Sequence, residues 1–233
     1  EELAENLINR FHKRDIQGVI FIEQYFDDAF MEKLANAGVP CVIANDEQNS
    51  KWLSSKMNFR GIGRMAGKHL LENGHKKIAV LAGSLKQHIF SEMLAGFRGA
   101  LAEEEIYIPA ELIAEVASGQ ESKKMRQILT GANRPDAVFV MRDGRAAQLY
   151  KLCEELQIGI PDDLSVISYD DISWPDAKSA GLTSIAQPVN EIGRNAVSLI
   201  EQWYKEGKMP DSKVLQGCLQ IRNSVKNLRA NES

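Results

Sequence analysis

The chain has 233 residues, long enough for one large domain or two smaller ones with separate cores. Hydrophobic residues make up 44% and charged residues 26%, and the formal charge is -4; the cationic stretches Lys123-Lys124-Met125-Arg126 and His75-Lys76-Lys77 are short, so the chain lacks the footprint of a direct nucleic-acid binder. Cys41, Cys153 and Cys218 lie far apart with no C-x-x-C, which favours reduced thiols over a disulfide framework, and no apolar run approaches the roughly 18 to 20 residues that span a bilayer.

In chain order the apolar spacing alternates between a period of two and one of 3.6. Leu3, Leu7, Ile8 and Phe11 open the chain inside a helical stripe, so a segment preceding Glu1 is expected. "GVIFIE" (18–23) reads as a buried strand, "DAFMEKLANAG" (28–38) as a helix stopped by Gly38, and "CVIAN" as the next strand after Pro40. Phe59, Ile62, Met65, Ala66, His69 and Leu70 share one helical face, ended by Asn73-Gly74. "KIAVLAG" (77–83) is a strand, and Phe90, Met93, Leu94, Phe97 and Leu101 form the next helical stripe. "ELIAEV" (111–116) and "DAVFVM" (136–141) read as strands on either side of a helix at 122–129. Ala146, Leu149, Leu152, Cys153 and Leu156 make another stripe, and Pro161 leads into "LSVISY" (164–169). Val189, Ile192, Ala196, Leu199, Ile200 and Trp203 mark a long helix, and "KVLQGCLQI" (213–221) a last strand. About seven continuous apolar strands separated by helices predict α/β architecture with parallel sheets covered on both faces.

The stretch "VISYDDI" drives two carboxylates to the end of a buried strand. Ligands of open α/β sheets sit beyond the carboxyl ends of the strands, where a carboxylate accepts hydrogen bonds from hydroxyl or N–H groups. The pattern alone leaves two readings open, ligand contact by Asp170 or Asx turns at Asp170 and Asp171 that only cap the loop.

Five segments, in order and spacing, resemble the effector-binding domain of LacI/GalR-type bacterial transcription regulators, relatives of the periplasmic sugar-binding proteins. They are "AGKHLLENGHKKIAVLAG", "LAGFRGAL", "IPDDLSVISYDDI", "GLTSIAQPVNEIGRNAV" and "IRNSV", spanning roughly residues 5–225. The resemblance implies two Rossmann-like subdomains of the periplasmic-binding-protein type I kind, joined by three crossovers across a ligand cleft. Residues 1–74 and 187–212 are expected in the N-terminal subdomain, 75–186 and 213–226 in the C-terminal one, with 227–233 as a tail. Crossings are expected near Gly74-His75, Gln187-Pro188 and Asp211-Ser212, the last with Gly207 and Pro210 as hinge chemistry. Family members carry a helix-turn-helix headpiece and a first strand, helix and strand before this region. Without those strands, "GVIFI" is expected at an exposed hydrophobic edge.

The same resemblance assigns Asp170 to effector contact and Gln187 to the cleft-lining crossover, with Asp171 as the loop stabiliser; the alternative for Gln187 is a hinge amide that satisfies turn backbone. Other positions depart from the family. Where a ligand-clamping arginine is common, three residues before Gly96, stands Met93, which shares its stripe with Phe90 and Phe97; both Met93 and Phe90 are candidates for ligand contact or plain core. The strand at 136–141 ends in Arg142-Asp143 instead of Asn-Asp. Arg142 is either a replacement cation offering a planar fork to carboxylate or phosphate, or part of a surface pairing with Asp143, for which Arg145 also competes. Ser118 stands where an aromatic wall is usual, Asn58-Phe59 replaces Asp-Asn, and Gln24, just past the first strand, completes the candidate ligand set. An anionic or more apolar effector fits these departures better than an ordinary hexose.

No cofactor or metal is expected. His12, His69, His75 and His88 show no metal spacing, "AGSLKQH" is no P-loop, and no Gly-x-Ser-x-Gly elbow occurs. Trp174 and Trp203 read as packing residues. The function expected is that of a cytoplasmic, homodimeric regulator that is not an enzyme and has no membrane segment. A small-molecule effector would change operator-DNA binding through an N-terminal helix-turn-helix. The alternative is a solute-binding protein of a transport system.

Overall fold

The computed structural model describes residues 2–22, 27–45, 51–116, 121–171 and 180–229. The elements begin with helix α1 (Glu2–His12), strand β1 (Val19–Ile22), α2 (Asp28–Asn36), β2 (Cys41–Asn45), β3 (Ser54–Met57) and α3 (Phe59–Glu72). Then come β4 (Ile78–Ala82), α4 (His88–Ala102), a 3-10 turn (Ala110–Leu112), β5 (Ile113–Glu115), α5 (Glu121–Leu129), β6 (Ala137–Val140) and α6 (Asp143–Glu155). The last are β7 (Ser165–Asp170), β8 (Thr183–Ala186), α7 (Val189–Glu206), β9 (Lys213–Leu215) and β10 (Cys218–Gln220). They fall into two compact units, Glu1–Met57 with Pro188–Leu215, and Asn58–Gln187 with Gln216–Ser233.

The first unit holds a parallel sheet in the order β1-β2-β3-β9. On one side α1 and α2 bury Ala4, Met31 and Leu34 with Phe21, Val39 and Trp52. On the other, α7 packs on β2 and β3 and buries Ile192, Ala196 and Leu199. Asp27 starts α2 by accepting a 2.7 Å hydrogen bond from the Phe30 backbone N–H, which satisfies one of the donors a helix start leaves over. β1 is an edge strand with Ile20 and Ile22 exposed, as "GVIFI" was expected to be. β3, "SSKM", carries no apolar run and escapes sequence reading. Its Ser54 and Ser55 are nonetheless fully buried; Ser55 Oγ donates to the Ile192 carbonyl at 3.0 Å, so a hydroxyl meets the polar requirement inside a buried strand.

The second unit holds a sheet in the order β10-β8-β7-β6-β4-β5, parallel throughout except for β10. Its strands are buried on both faces, which explains their continuous apolar runs. One face packs Leu81, Val138, Val140 and Val166 against Met125, Ile128, Leu149 and Leu152. On the other, Phe139 stacks on Phe97 of α4 at 4.9 Å, and Tyr169 meets the edge of Phe59 of α3 at 6.2 Å.

Helices α3 and α4 cross at backbone contact. A Cβ on Gly63 would stand 1.8 Å from the Met93 carbonyl oxygen, and one on Gly96 the same distance from that of Arg60. This crossing explains a departure from the expected boundaries. α3 belongs with the second unit, so the first passage between units falls after Met57 and not near Gly74-His75. The second falls at Gln187-Pro188. The third falls after Leu215 and not at Asp211-Ser212, because "KVLQGCLQI" is two strands: β9 joins the first sheet beside β3, and β10 joins the second beside β8. Gly207 closes α7 in a left-handed conformation.

The C-terminal segment is fastened across β7 and β8. Ser224 Oγ donates to the Val166 carbonyl and accepts from the Thr183 N–H at 2.8 Å, while the Ser224 carbonyl accepts from the Val166 N–H at 2.7 Å. Buried His75 stands between Asp136, 2.9 Å from Nδ1, and the Lys226 carbonyl, 3.0 Å from Nε2.

Gly63→Ala and Gly96→Ala are each expected to lower unfolding free energy by about 2–3 kcal/mol, because the helices must separate. Gly99→Ala on the same α4, where a Cβ meets nothing, is expected to raise it by about 0.5–1 kcal/mol. Ser224→Ala strands a buried N–H and is expected to cost about 2 kcal/mol. Urea denaturation of the four variants checks all of these.

Candidate functional site

The second unit's parallel strands bring their carboxyl ends to one edge. There β4 gives way to Gly83, β6 to Met141-Arg142, β7 to Asp170-Asp171 and β8 to Gln187. Two of these residues hold backbone angles that side chains disfavour: φ is 126° at Arg142 and 132° at Asp170, with 56° at Asp171 following. Each such residue costs on the order of 1–3 kcal/mol, and strain of this kind gathers where a chain must present a side chain in a set direction.

Asp170 and Gln187 are 17 positions apart and meet because Asp170 is the register partner of Ala186. The Gln187 amide Nε2 donates to Asp170 Oδ1, and the Gln187 backbone N–H donates to the Asp170 carbonyl at 3.5 Å. Asp170 is 8% exposed. Gln187 Oε1 is buried and has no hydrogen-bond partner among the described residues. The second carboxylate of the pair has a different task. Asp171 receives a bidentate grip from Arg222, 2.7 Å from Nη1 to Oδ1 and 3.1 Å from Nη2 to Oδ2, and Arg222 also donates to the Leu182 carbonyl at 2.6 Å.

Arg142 precedes α6 and places its guanidinium 5.9 Å from the centre of the Phe90 ring. Arg145, one turn on, lies 5.2 Å from the same ring. Gly83 makes room for both, since a Cβ there would stand 2.4 Å from the Phe90 ring edge and 2.8 Å from Arg145 Nη2. Asp143 is fully buried, so a pairing of Arg142 or Arg145 with it, the alternative left open by the sequence, would not lie at the surface. Its carboxyl accepts from Ser184 Oγ at 3.0 Å. Burial raises its pKa above the ordinary carboxylate value, against the opposing pull of hydrogen bonds from Ser168, Ser184 and the Asp171 backbone.

Met93 is fully buried on α4 at the crossing with α3, and offers no surface to a ligand; it belongs to the core. Phe90 is buried beneath the two guanidinium groups and acts as their support. Ser118, Gln24 and Trp174 lie outside the described residues. Asn58 caps α3 by accepting from the Gly61 N–H at 2.8 Å, and its amide donates to Gln216 Oε1 at 3.1 Å. Sequence reading missed the support at Gly83, the Phe90-facing role of Arg145 and the Asp171 grip of Arg222. The signals available were a glycine directly after a strand and a second arginine three residues after the first.

A cavity of about 860 Å³ lies in the first unit, lined by Phe11, Ile16, Val197, Ile200 and Tyr204 among others. Arg14, Gln17 and Glu201 also line it, so a guanidinium, an amide and a carboxylate are present there as well. Among the described residues no three His, Cys, Asp or Glu side chains cluster as metal ligands, and no helix is long and apolar enough to cross a membrane.

A family profile for the periplasmic-binding-protein-like domain matches residues 68–225. The chain is 34% identical over 236 residues to the HTH-type transcriptional repressor PurR of Vibrio vulnificus, covering 97% of this chain and 70% of that protein. Among solved structures it is similar to the transcriptional regulator CelR in complex with cellobiose, at 26% identity and a TM-score of 0.81 over 95% of this chain and 69% of the other. It is also similar to a LacI family transcriptional regulator from Enterococcus faecium with bound ribose, at 26% identity and a TM-score of 0.78 over 97% and 85%. These relatives are transcription regulators, neither enzymes nor parts of a transporter. The chain belongs to the periplasmic-binding-protein-like family and is the effector-binding domain of a PurR- and LacI-type transcriptional regulator.

Proposed function

We propose that the chain binds a small polar metabolite at the carboxyl edge of the second unit's sheet, with Asp170 and Gln187 as its polar anchors. Arg142 stands beside them, Phe90 supports it from below, and Ser118 and Gln24 are further contacts to test. Occupancy of this site sets the affinity of a cytoplasmic homodimer for operator DNA, which a helix-turn-helix headpiece reads. The observation that carries this reading is the Gln187–Asp170 hydrogen bond next to a buried amide oxygen without a partner among the described residues. The amide fixes the direction of the carboxylate. A carboxylate held so accepts hydrogen bonds from ligand hydroxyl or N–H groups, and the amide oxygen accepts another. Cellobiose and ribose, bound by two similar regulators, are ligands of this hydroxyl-rich kind.

Regulation follows by population shift. The metabolite acts only if it binds the operator-binding and operator-free states unequally; moving the balance from 1:99 to 99:1 requires roughly a 10⁴-fold difference in affinity.

A thermal-shift screen of sugars, sugar phosphates, nucleosides and organic acids identifies the effector through its rise in melting temperature. For that compound, Asp170→Asn keeps the shape but removes the charge. Calorimetry is expected to show about 10- to 100-fold weaker binding, the worth of one or two charge-assisted hydrogen bonds. Unchanged affinity in a folded variant would remove Asp170 from the site.

A further inference from the structure

We infer that Arg222 is a positioning residue of the effector site: by gripping Asp171 it fixes the direction in which the neighbouring Asp170 carboxylate faces, and so sets effector affinity without touching the effector. The inference rests on the reading that Asp170 and Gln187 anchor the effector.

The turn after β7 holds two consecutive residues at positive φ, 132° at Asp170 and 56° at Asp171. Side chains disfavour both conformations, which persist only where surrounding contacts fix them. The ladder does not reach that far: β7 and β8 pair from Ile167–Thr183 to Asp170–Ala186, and Asp171 lies beyond the last pair. The Asp171 carboxylate is held by the Arg222 guanidinium, 2.7 Å from Nη1 to Oδ1 and 3.1 Å from Nη2 to Oδ2.

Arg222 suits this task because it is itself fixed at both ends. Its backbone N–H donates to Thr183 Oγ1 at 3.0 Å, and its Nη1 donates to the Leu182 carbonyl at 2.6 Å. Further along the same segment the Ser224 hydroxyl joins β7 to β8, and the Lys226 N–H donates to Ser165 Oγ at 2.9 Å. The guanidinium thus stands on a post tied to the starts of both strands. Its planar fork loses little further freedom in closing on a carboxylate. The pair is sheltered, with the Arg222 and Asp171 side chains 19% and 11% exposed, so removing either partner leaves a charge that water replaces poorly.

The sheet does not need this pair, since the ladder and Ser224 hold β7 to β8 without it. The turn does need it. Asp171 is one peptide bond from Asp170, so an Asp171 free to swing turns Asp170 away from the Gln187 amide. Loss of Arg222 therefore spares the fold and spoils the aim of the carboxylate.

Nitrogen-15 spectra of the ligand-free protein report the Gln187 side-chain amide, whose Nε2 donates to Asp170. Arg222→Lys keeps the charge and loses the fork; Arg222→Met loses both. Arg222→Met is expected to shift the Gln187 amide signals and to speed their proton exchange about 10-fold, with Arg222→Lys between it and wild type. Asp171→Asn is expected to do the same as Arg222→Met. The two together are expected to do no more than either alone, because Arg222 acts through Asp171. A side chain that merely fastened the C-terminal segment would lower the melting temperature and leave the Gln187 amide unmoved. Binding is read by calorimetry with the compound that the thermal-shift screen selects, ribose being the first tried; Arg222→Met is expected to bind it roughly 10-fold more weakly. A Gln187 amide unmoved in folded Arg222→Met and Arg222→Lys, or effects that add in the double variant, overturns the inference. If binding is then still lost in Asp170→Asn, the effector reading stands without Arg222. A Gln187 amide that moves with Arg222, beside binding indifferent to Asp170, overturns the effector reading instead, and with it the part of Arg222 in affinity.

Discussion

The hydrogen bond between Gln187 and Asp170 is the constraint on which the rest of the site depends. It joins the last residue of β7 to the residue that follows β8, and it forms only because those strands pair in parallel with Asp170 opposite Ala186. The strands pair that way because both faces of the sheet are covered by helices, which lets them carry unbroken apolar runs into the core. At the edge where the runs stop, polar groups can be held half out of the core with fixed orientation. The positive φ angles at Arg142 and Asp170 mark the cost of that turn-out, paired on adjacent strands β6 and β7.

The two aspartates of "SYDDI" divide the work. Asp171 is drawn into a bidentate pair with Arg222, from the segment that Ser224 and His75 fasten across β7, β8 and the start of β4. The final stretch of the second unit thereby braces the loop from which Asp170 projects. The "IRNSV" residues are distant from Asp170 in sequence and serve it through structure.

Much of the fold was legible because its signals are physical and local. Apolar runs bounded by Gly or Pro marked β4, β6 and β7, and stripes at helical spacing marked α3, α4, α6 and α7. What escaped had no apolar signature. β3 is "SSKM", buried although polar, with the Ser55 hydroxyl bonded to the Ile192 carbonyl, and the break between β9 and β10 hides inside one β-like run, "KVLQGCLQI". The boundary at Met57 was unreadable because it depends on backbone contact between Gly63 and α4, a tertiary fact that a glycine in a helix does not declare. For the site, the family resemblance named Asp170 and Gln187 separately as effector contacts; the hydrogen bond between them follows from the β7–β8 register, which the sequence does not show. Met93 was ambiguous because a core methionine and a ligand-facing one have the same helical spacing; full burial decides for the core. The place of Arg145 over Phe90 was missed because that ring lies more than 50 residues from it in sequence, and Gly83 went unnoticed with it.

The central claim is that the effector sits at the carboxyl edge of the second unit's sheet. Amide hydrogen exchange, compared with and without the effector, tests it most directly, since exchange reports local opening residue by residue. The account predicts slowed exchange at residues 141–146, 170–171 and 187. Protection confined to the first unit, around Phe11, Ile16 and Tyr204, with exchange at Asp170 and Gln187 unchanged, would contradict it.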